Sequence, residues 1–209
     1  MSDDPRPHLT RAGRRRPRGV VLMLHGGAES SSMVVDARSR SWIRSRLMML
    51  QLQWAFRRRG LAVWLLRYRY VGWNRSSGEP APVPDARWAL DEVRAAYGDV
   101  PVVLLGHSMG ARTSVAVAGD PSVIGVVALA PWLPLDEPVG TLEGRTLRAA
   151  HGRSDEITSF DATAAFVRRA AACGVDADLA DMGDVGHYML RDLRRWNRFA
   201  RAETLALLA

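Results

Sequence analysis

The sequence predicts an α/β protein: a three-layer α/β/α sandwich on a mostly parallel, six-stranded sheet. Three observations lead there. Short β-branched or aliphatic runs alternate with longer stretches of helical pattern along most of the chain. Strand, helix, strand in strict alternation folds as a parallel sheet with helices on both faces. At 209 residues, 47% of them hydrophobic, the chain suits one domain with a sizeable core.

The elements follow in order. Residues 1–18 are rich in Pro, Arg and Asp and read as a disordered basic arm, which leaves 19–209 as the single domain. Strands are expected at Gly19–Leu24, Ala62–Tyr68, Val100–Leu105, Ile124–Ala130, Thr146–Ala150 and Asp176–Asp181. The last two are weaker, because alanine is a poor strand former. Between the first two strands, Ser39–Gly60 carries Trp42, Leu47, Leu50 and Trp54 at helical spacing. Arginines fill its last turn, and Gly60 stands at the position that favours a left-handed cap. A second helix opens at Pro84-Asp85 and ends near Gly98. A short helix of small residues spans Ala111–Gly119. Another runs from an N-cap at Ser159 to Gly174, and an amphipathic one from Tyr188 to Leu208.

Composition narrows the function classes. No apolar stretch reaches the ~18 residues of a membrane span. The first residues lack the apolar core of a signal peptide, so the expected location is the cytoplasm. The net charge is +7 and all 29 basic residues are arginine. They are scattered through the predicted helices, except for Arg14 to Arg18. A nucleic-acid partner needs a contiguous phosphate-tracking face, and none is legible, so none is expected. Cys173, the single cysteine, cannot form an internal disulfide and reads as a small buried thiol at a helix end.

Ligands of such sheets bind beyond the carboxyl ends of the strands, so the turns there hold the chemistry. After the third strand comes Gly106-His107-Ser108-Met109-Gly110, a G-x-S-x-G run between a strand and a helix. Glycine at both flanking positions gives clearance, because a β-carbon there would meet neighbouring backbone. Ser108 is the candidate nucleophile, and it needs a base. His8 lies in the arm and His25 follows the first strand. His107 should point away from the hydroxyl, and His151 ends the fifth strand. His187, in a glycine-flanked loop before the last helix, is the candidate general base.

Asp155, a few residues beyond the fifth strand, is the candidate orienting acid. Glu156, Asp161 and Asp184 compete with it, and Asp184 is the best alternative. Donors for an oxyanion are expected from the backbone N–H groups of Met109 and Gly27, with Ala28 the fallback.

With "LHGG" (24–27), "GHSMG" (106–110), "HGRSDEIT" (151–158) and "GDVGH" (183–187), the chain resembles the α/β-hydrolase superfamily of serine hydrolases, in its small lidless form. The resemblance runs from about residue 19 to 209. It implies the triad Ser108–Asp155–His187 and oxyanion donors at Gly27 and Met109. Two departures stand out. The "HGG" loop arrives by residue 25, so the first two strands of the larger fold are expected to be absent. The stretch Pro131–Gly144 is too short for a cap domain, so a minimal fold with an open site is implied. Ala28, Trp73 and Trp132 are the expected substrate-binding wall.

The activity expected is hydrolysis of a small-molecule carboxylic ester or thioester through an acyl-enzyme, with no cofactor and no metal. The same constellation also suits an amidase, acyltransferase or perhydrolase. From another class, a non-catalytic hydrolase-like binding protein would fit the fold.

Overall fold

The computed structural model describes residues 5–75 and 78–209. Among these residues seven strands form one sheet: β1 (His8–Ala12), β2 (Val20–Leu24), β3 (Ala62–Arg67), β4 (Val102–His107), β5 (Val123–Leu129), β6 (Thr146–His151) and β7 (Asp176–Asp181). Their order across the sheet is β1-β3-β2-β4-β5-β6-β7, and every pair is parallel except β1 with β3. Central strands of a parallel sheet are covered on both faces. Accordingly every residue of β2 and β4 is buried.

The seventh strand corrects the expected count of six. It comes from the stretch read as a disordered arm, of which residues 1–4 lie outside the described residues. An edge strand pairs on one side only, so it needs little apolar content. Leu9 and Ala12 are half-buried against the core. Arg11 lies 4.3 Å above the Trp64 ring and pairs with Glu92. A short, charged strand of this kind also shields the edge of β3 from other chains.

Among the described residues five helices complete the layers: α1 (Arg40–Arg58), α2 (Pro82–Tyr97), α3 (Met109–Val117), α4 (Phe160–Ala172) and α5 (Leu193–Leu207). Right-handed crossovers put α1 on one face and α2, α3 and α4 on the other. The packing of α1 on α5 and of α2 on α3 agrees with that division. Between β5 and β6 the chain forms only a 3-10 turn, Gly140–Leu142, so no cap domain stands there.

The helices differ in detail from the sequence pattern. In α1 the buried side is Trp42, Ser45, Met48, Met49, Leu52 and Phe56, whereas Leu47, Leu50 and Trp54 are exposed. This helix is apolar on two sides, and only one meets the sheet. The α2 helix begins two residues earlier than expected, at Pro82. The last helix begins at Leu193 rather than Tyr188, because Asp192 takes a left-handed conformation (φ 57°) and caps the Arg195 N–H. Cys173 is exposed, not buried: it caps α4 at its solvent end.

The topology locates the site. From β2 the chain crosses outward to β3 on one side, and from β4 to β5 on the other. Ligand crevices open where connections diverge in this way. The turns after β2 and β4 are neighbours there, since Leu24 is in register with Gly106.

Candidate active site

Ser108 sits at the apex of the β4–α3 turn with φ 55° and ψ −120°, a conformation that an L-residue seldom holds. The turn is tight on both sides. A β-carbon on Gly106 would lie 2.5 Å from the Ala111 backbone, and one on Gly110 would overlap the Leu24 carbonyl. Glycine is therefore required at both positions by space. The turn delivers the Ser108 hydroxyl to the carboxyl end of the sheet while α3 begins immediately behind it.

His187 Nε2 lies 3.0 Å from Ser108 Oγ, and His187 Nδ1 lies 2.9 Å from Asp155 Oδ2. The carboxylate can only accept, so the proton of the neutral ring sits on Nδ1 and leaves the Nε2 lone pair facing the hydroxyl. The Asp155 side chain is fully buried and His187 is 6% exposed. Burial alone would raise the Asp155 pKa. Hydrogen bonds from His151, His187 and the Thr158 N–H outweigh it and hold the carboxyl well below the ordinary range. The competitors Glu156, Asp161 and Asp184 are all exposed.

Two neighbours of Asp155 were not legible as site residues. His151 Nε2 lies 3.1 Å from Asp155 Oδ2, and Thr158 Oγ1 lies 2.9 Å from the same oxygen. The other oxygen, Oδ1, accepts the N–H groups of Ile157 and Thr158 at 2.9 and 2.8 Å. The sequence did carry one signal, a histidine four residues before the aspartate at the end of a strand.

His107 does not contact the hydroxyl. Its Nε2 donates to the His187 carbonyl at 3.2 Å, and the two rings lie 4.9 Å apart. Burial, the Arg44 charge and His187 together push its pKa well down, so it braces the His187 loop as a neutral ring. His25 braces the opposite loop. Its Nδ1 donates to the Gly26 carbonyl at 2.6 Å, and its Nε2 accepts the Tyr68 N–H at 3.3 Å. Burial pushes its pKa down to about 4.

Gly27 and Met109 face each other across the turns. A β-carbon on Gly27 would overlap the Val71 carbonyl and the Met109 side chain. Met109 is the first residue of α3, where a backbone N–H has no partner within the helix. The Ala28 N–H is engaged by the Val71 carbonyl at 2.9 Å, which removes the fallback donor.

A cavity of about 600 Å³ opens on these groups, within the usual range for small-ligand sites. Gly26, Gly27, Ser108 and His187 form its reactive wall, and Val71, Ile157 and Leu190 are among its apolar walls. Ala28, Trp73 and Trp132, the expected wall, are not among the residues that line this cavity. The two indoles instead meet edge to face at 6.0 Å and hold the Arg112 guanidinium 4.4 Å from each ring. Arg112 in turn pairs with buried Glu137 at 2.6 Å. The two aromatic rings thus satisfy this buried cation.

The family model of the alpha/beta hydrolase fold matches residues 19–171, and the chain belongs to that family. Among solved structures it is similar to an alpha-beta serine hydrolase homologue from Coxiella burnetii. There the identity is 18% over 94% of this chain and 90% of that one, with a TM-score of 0.68. It is also similar to XC6422 from Xanthomonas campestris, described as a serine hydrolase without lid, at 18% identity over 95% and 89% of the two chains and a TM-score of 0.67. Butyrate-bound esterase Est2 of Thermogutta terrifontis matches at 15% identity over 99% and 90%, with a TM-score of 0.71. At these identities the likeness speaks for the fold. No curated protein matches the chain in sequence.

Proposed function

We propose that the chain is a serine hydrolase that cleaves carboxylic esters or thioesters through an acyl-enzyme. The observation that carries this reading is the line from Asp155 through His187 to Ser108, with links of 2.9 and 3.0 Å, ending on a serine held in a strained turn at the cavity wall. An esterase of this fold, Est2 of Thermogutta terrifontis, supports the choice of reaction.

In this reading Ser108 Oγ adds to the substrate carbonyl while its proton passes to His187 Nε2. Asp155 stabilises the imidazolium that forms. The oxyanion is met by the N–H groups of Gly27 and Met109. The intermediate collapses with loss of the alcohol or thiol, which takes the proton from His187. Water then adds to the acyl-enzyme with His187 again as base, and the acid leaves. These steps need only the chain's own groups and water.

A fluorophosphonate probe, read beside p-nitrophenyl esters of increasing acyl length, tests the proposal. Wild type is expected to label at Ser108 and to release p-nitrophenol, and Ser108→Ala to do neither. Unlabelled wild type, or equal labelling of Ser108→Ala, would overturn it.

A further inference from the structure

The mechanism leaves two arginines of the cavity without a task, Arg40, which is exposed, and Arg44, which is half-buried. Arg44 lines the same space as Ser108, Gly27 and His187. Its Nη2 is buried and has no hydrogen-bond partner among the described residues. Among the described residues no carboxylate lies within 4 Å of it, although seven other arginines are held in ion pairs by that measure. The Tyr188 ring lies 5.7 Å from its guanidinium carbon. Burial pushes its pKa down to about 10, so it stays cationic at neutral pH. A half-buried cation with an orphaned N–H is costly unless something completes it.

The surroundings favour an anion as the completing group. Arg44 belongs to the start of α1, whose first turn holds no acidic side chain, whereas α2 and α4 carry Asp85 and Asp161 there. Ser39, the N-cap of α1, makes no capping bond, and with Ser41 it also lines the cavity. The positive end of the helix therefore adds to the guanidinium. The nearby carboxylate of Asp36 is exposed and already accepts from Ser39 and the Arg38 N–H. The Arg44 guanidinium presents a planar fork of donors, the match for a carboxylate.

We infer that the substrate is an acidic ester or thioester whose carboxylate pairs with Arg44 while its carbonyl lies against Ser108. This rests on the reading of Ser108 as the nucleophile.

Two matched pairs of esters test it, one for each side of the scissile bond. p-Nitrophenyl hydrogen adipate and p-nitrophenyl hexanoate differ by an acyl-side carboxylate. 4-Carboxyphenyl acetate and its methyl ester differ by one on the leaving group. Each kcat/KM is measured in wild type, Arg44→Gln and Arg44→Lys, with spontaneous hydrolysis subtracted. In at least one pair the acid-to-neutral ratio is expected to fall about 10–100-fold in Arg44→Gln, the size of a charge-assisted hydrogen bond, and to recover partly in Arg44→Lys. The neutral ester in each pair reports whether the variant is folded. Neutral esters cleaved with the same ratio in all three proteins would overturn the inference and leave the hydrolase reading standing. Cleavage of none of the four, with Ser108 unlabelled by fluorophosphonate, would overturn both.

Discussion

His151 and Asp155 are tied side chain to side chain in the interior: His151 Nε2 lies 3.1 Å from Asp155 Oδ2, and both side chains are fully buried. Thr163 Oγ1 holds the far nitrogen of the same ring at 2.8 Å. The carboxylate that faces His187 is thus held from behind by a second imidazole. His151→Phe keeps the volume and removes the donor. The Asp155 pKa is then expected to rise and kcat on p-nitrophenyl butyrate to fall about tenfold. The acid limb of the rate profile should move to higher pH. An unchanged rate and limb would mean that Thr158 and the loop N–H groups orient Asp155 unaided.

Gly27 tests the oxyanion turn by space alone. Its backbone has no left-handed conformation, so alanine is tolerated there on dihedral grounds. The new methyl would nevertheless overlap the Val71 carbonyl and the Met109 side chain. Gly27→Ala is expected to displace the donor loop and lower kcat about 10²–10³-fold, with a smaller effect on KM. Wild-type kinetics in this variant would remove Gly27 from the mechanism.

Arg112 tests the aromatic pair behind the site. Arg112→Met leaves Glu137 buried without its ion-pair partner, which also lies against Trp73 and Trp132. Breaking a buried pair from one side costs about 3–5 kcal/mol. The loss should appear as a lower urea midpoint, and Arg112→Met with Glu137→Gln should recover part of it. Equal midpoints for both variants would show that the stranded charge is not what destabilises.

Acid should weaken the fold in a defined window. The His25 pKa is pushed down to about 4 by burial, and burial also holds His107 well below its ordinary value. Unfolded histidines take up a proton near pH 6.5, which the folded rings refuse. The unfolded state therefore binds more protons below that pH, and stability falls as pH drops from about 6.5 toward 4. For His25 alone the loss is roughly 3 kcal/mol across the window. Asp155, whose folded pKa is depressed, acts in a lower window, losing its contribution only as pH falls below the ordinary carboxylate range. Urea midpoints that stay level from pH 7 to 4.5 would contradict this account.

Much of the layout is legible in one dimension. Strands made of uninterrupted aliphatic runs, such as Val20–Leu24 and Val102–His107, announce a covered parallel sheet. The HLTRA stretch does not announce β1, because its stability comes from pairing with β3, some 50 residues away in sequence, and from Arg11 lying on Trp64. Five residues with Leu9 as the one large aliphatic side chain give alternation too little to show.

The site divides in the same way. The order and spacing of Ser108, Asp155 and His187 follow from which turns end which strands, and the sequence alone determined that these three turns lie at one end of the sheet. It also determined the glycines at 106 and 110, because a serine turn of that shape leaves no room for β-carbons. Tertiary structure decided the rest. It chose which side of α1 faces the sheet, turned Trp73 and Trp132 toward Arg112, set His151 behind Asp155, and left Arg44 facing the cavity without a carboxylate. The physical reason is that periodicity records what a residue's own element requires. Which of 29 arginines is paired, stacked or left open depends on groups brought from distant segments, and those meet only when the sheet has closed.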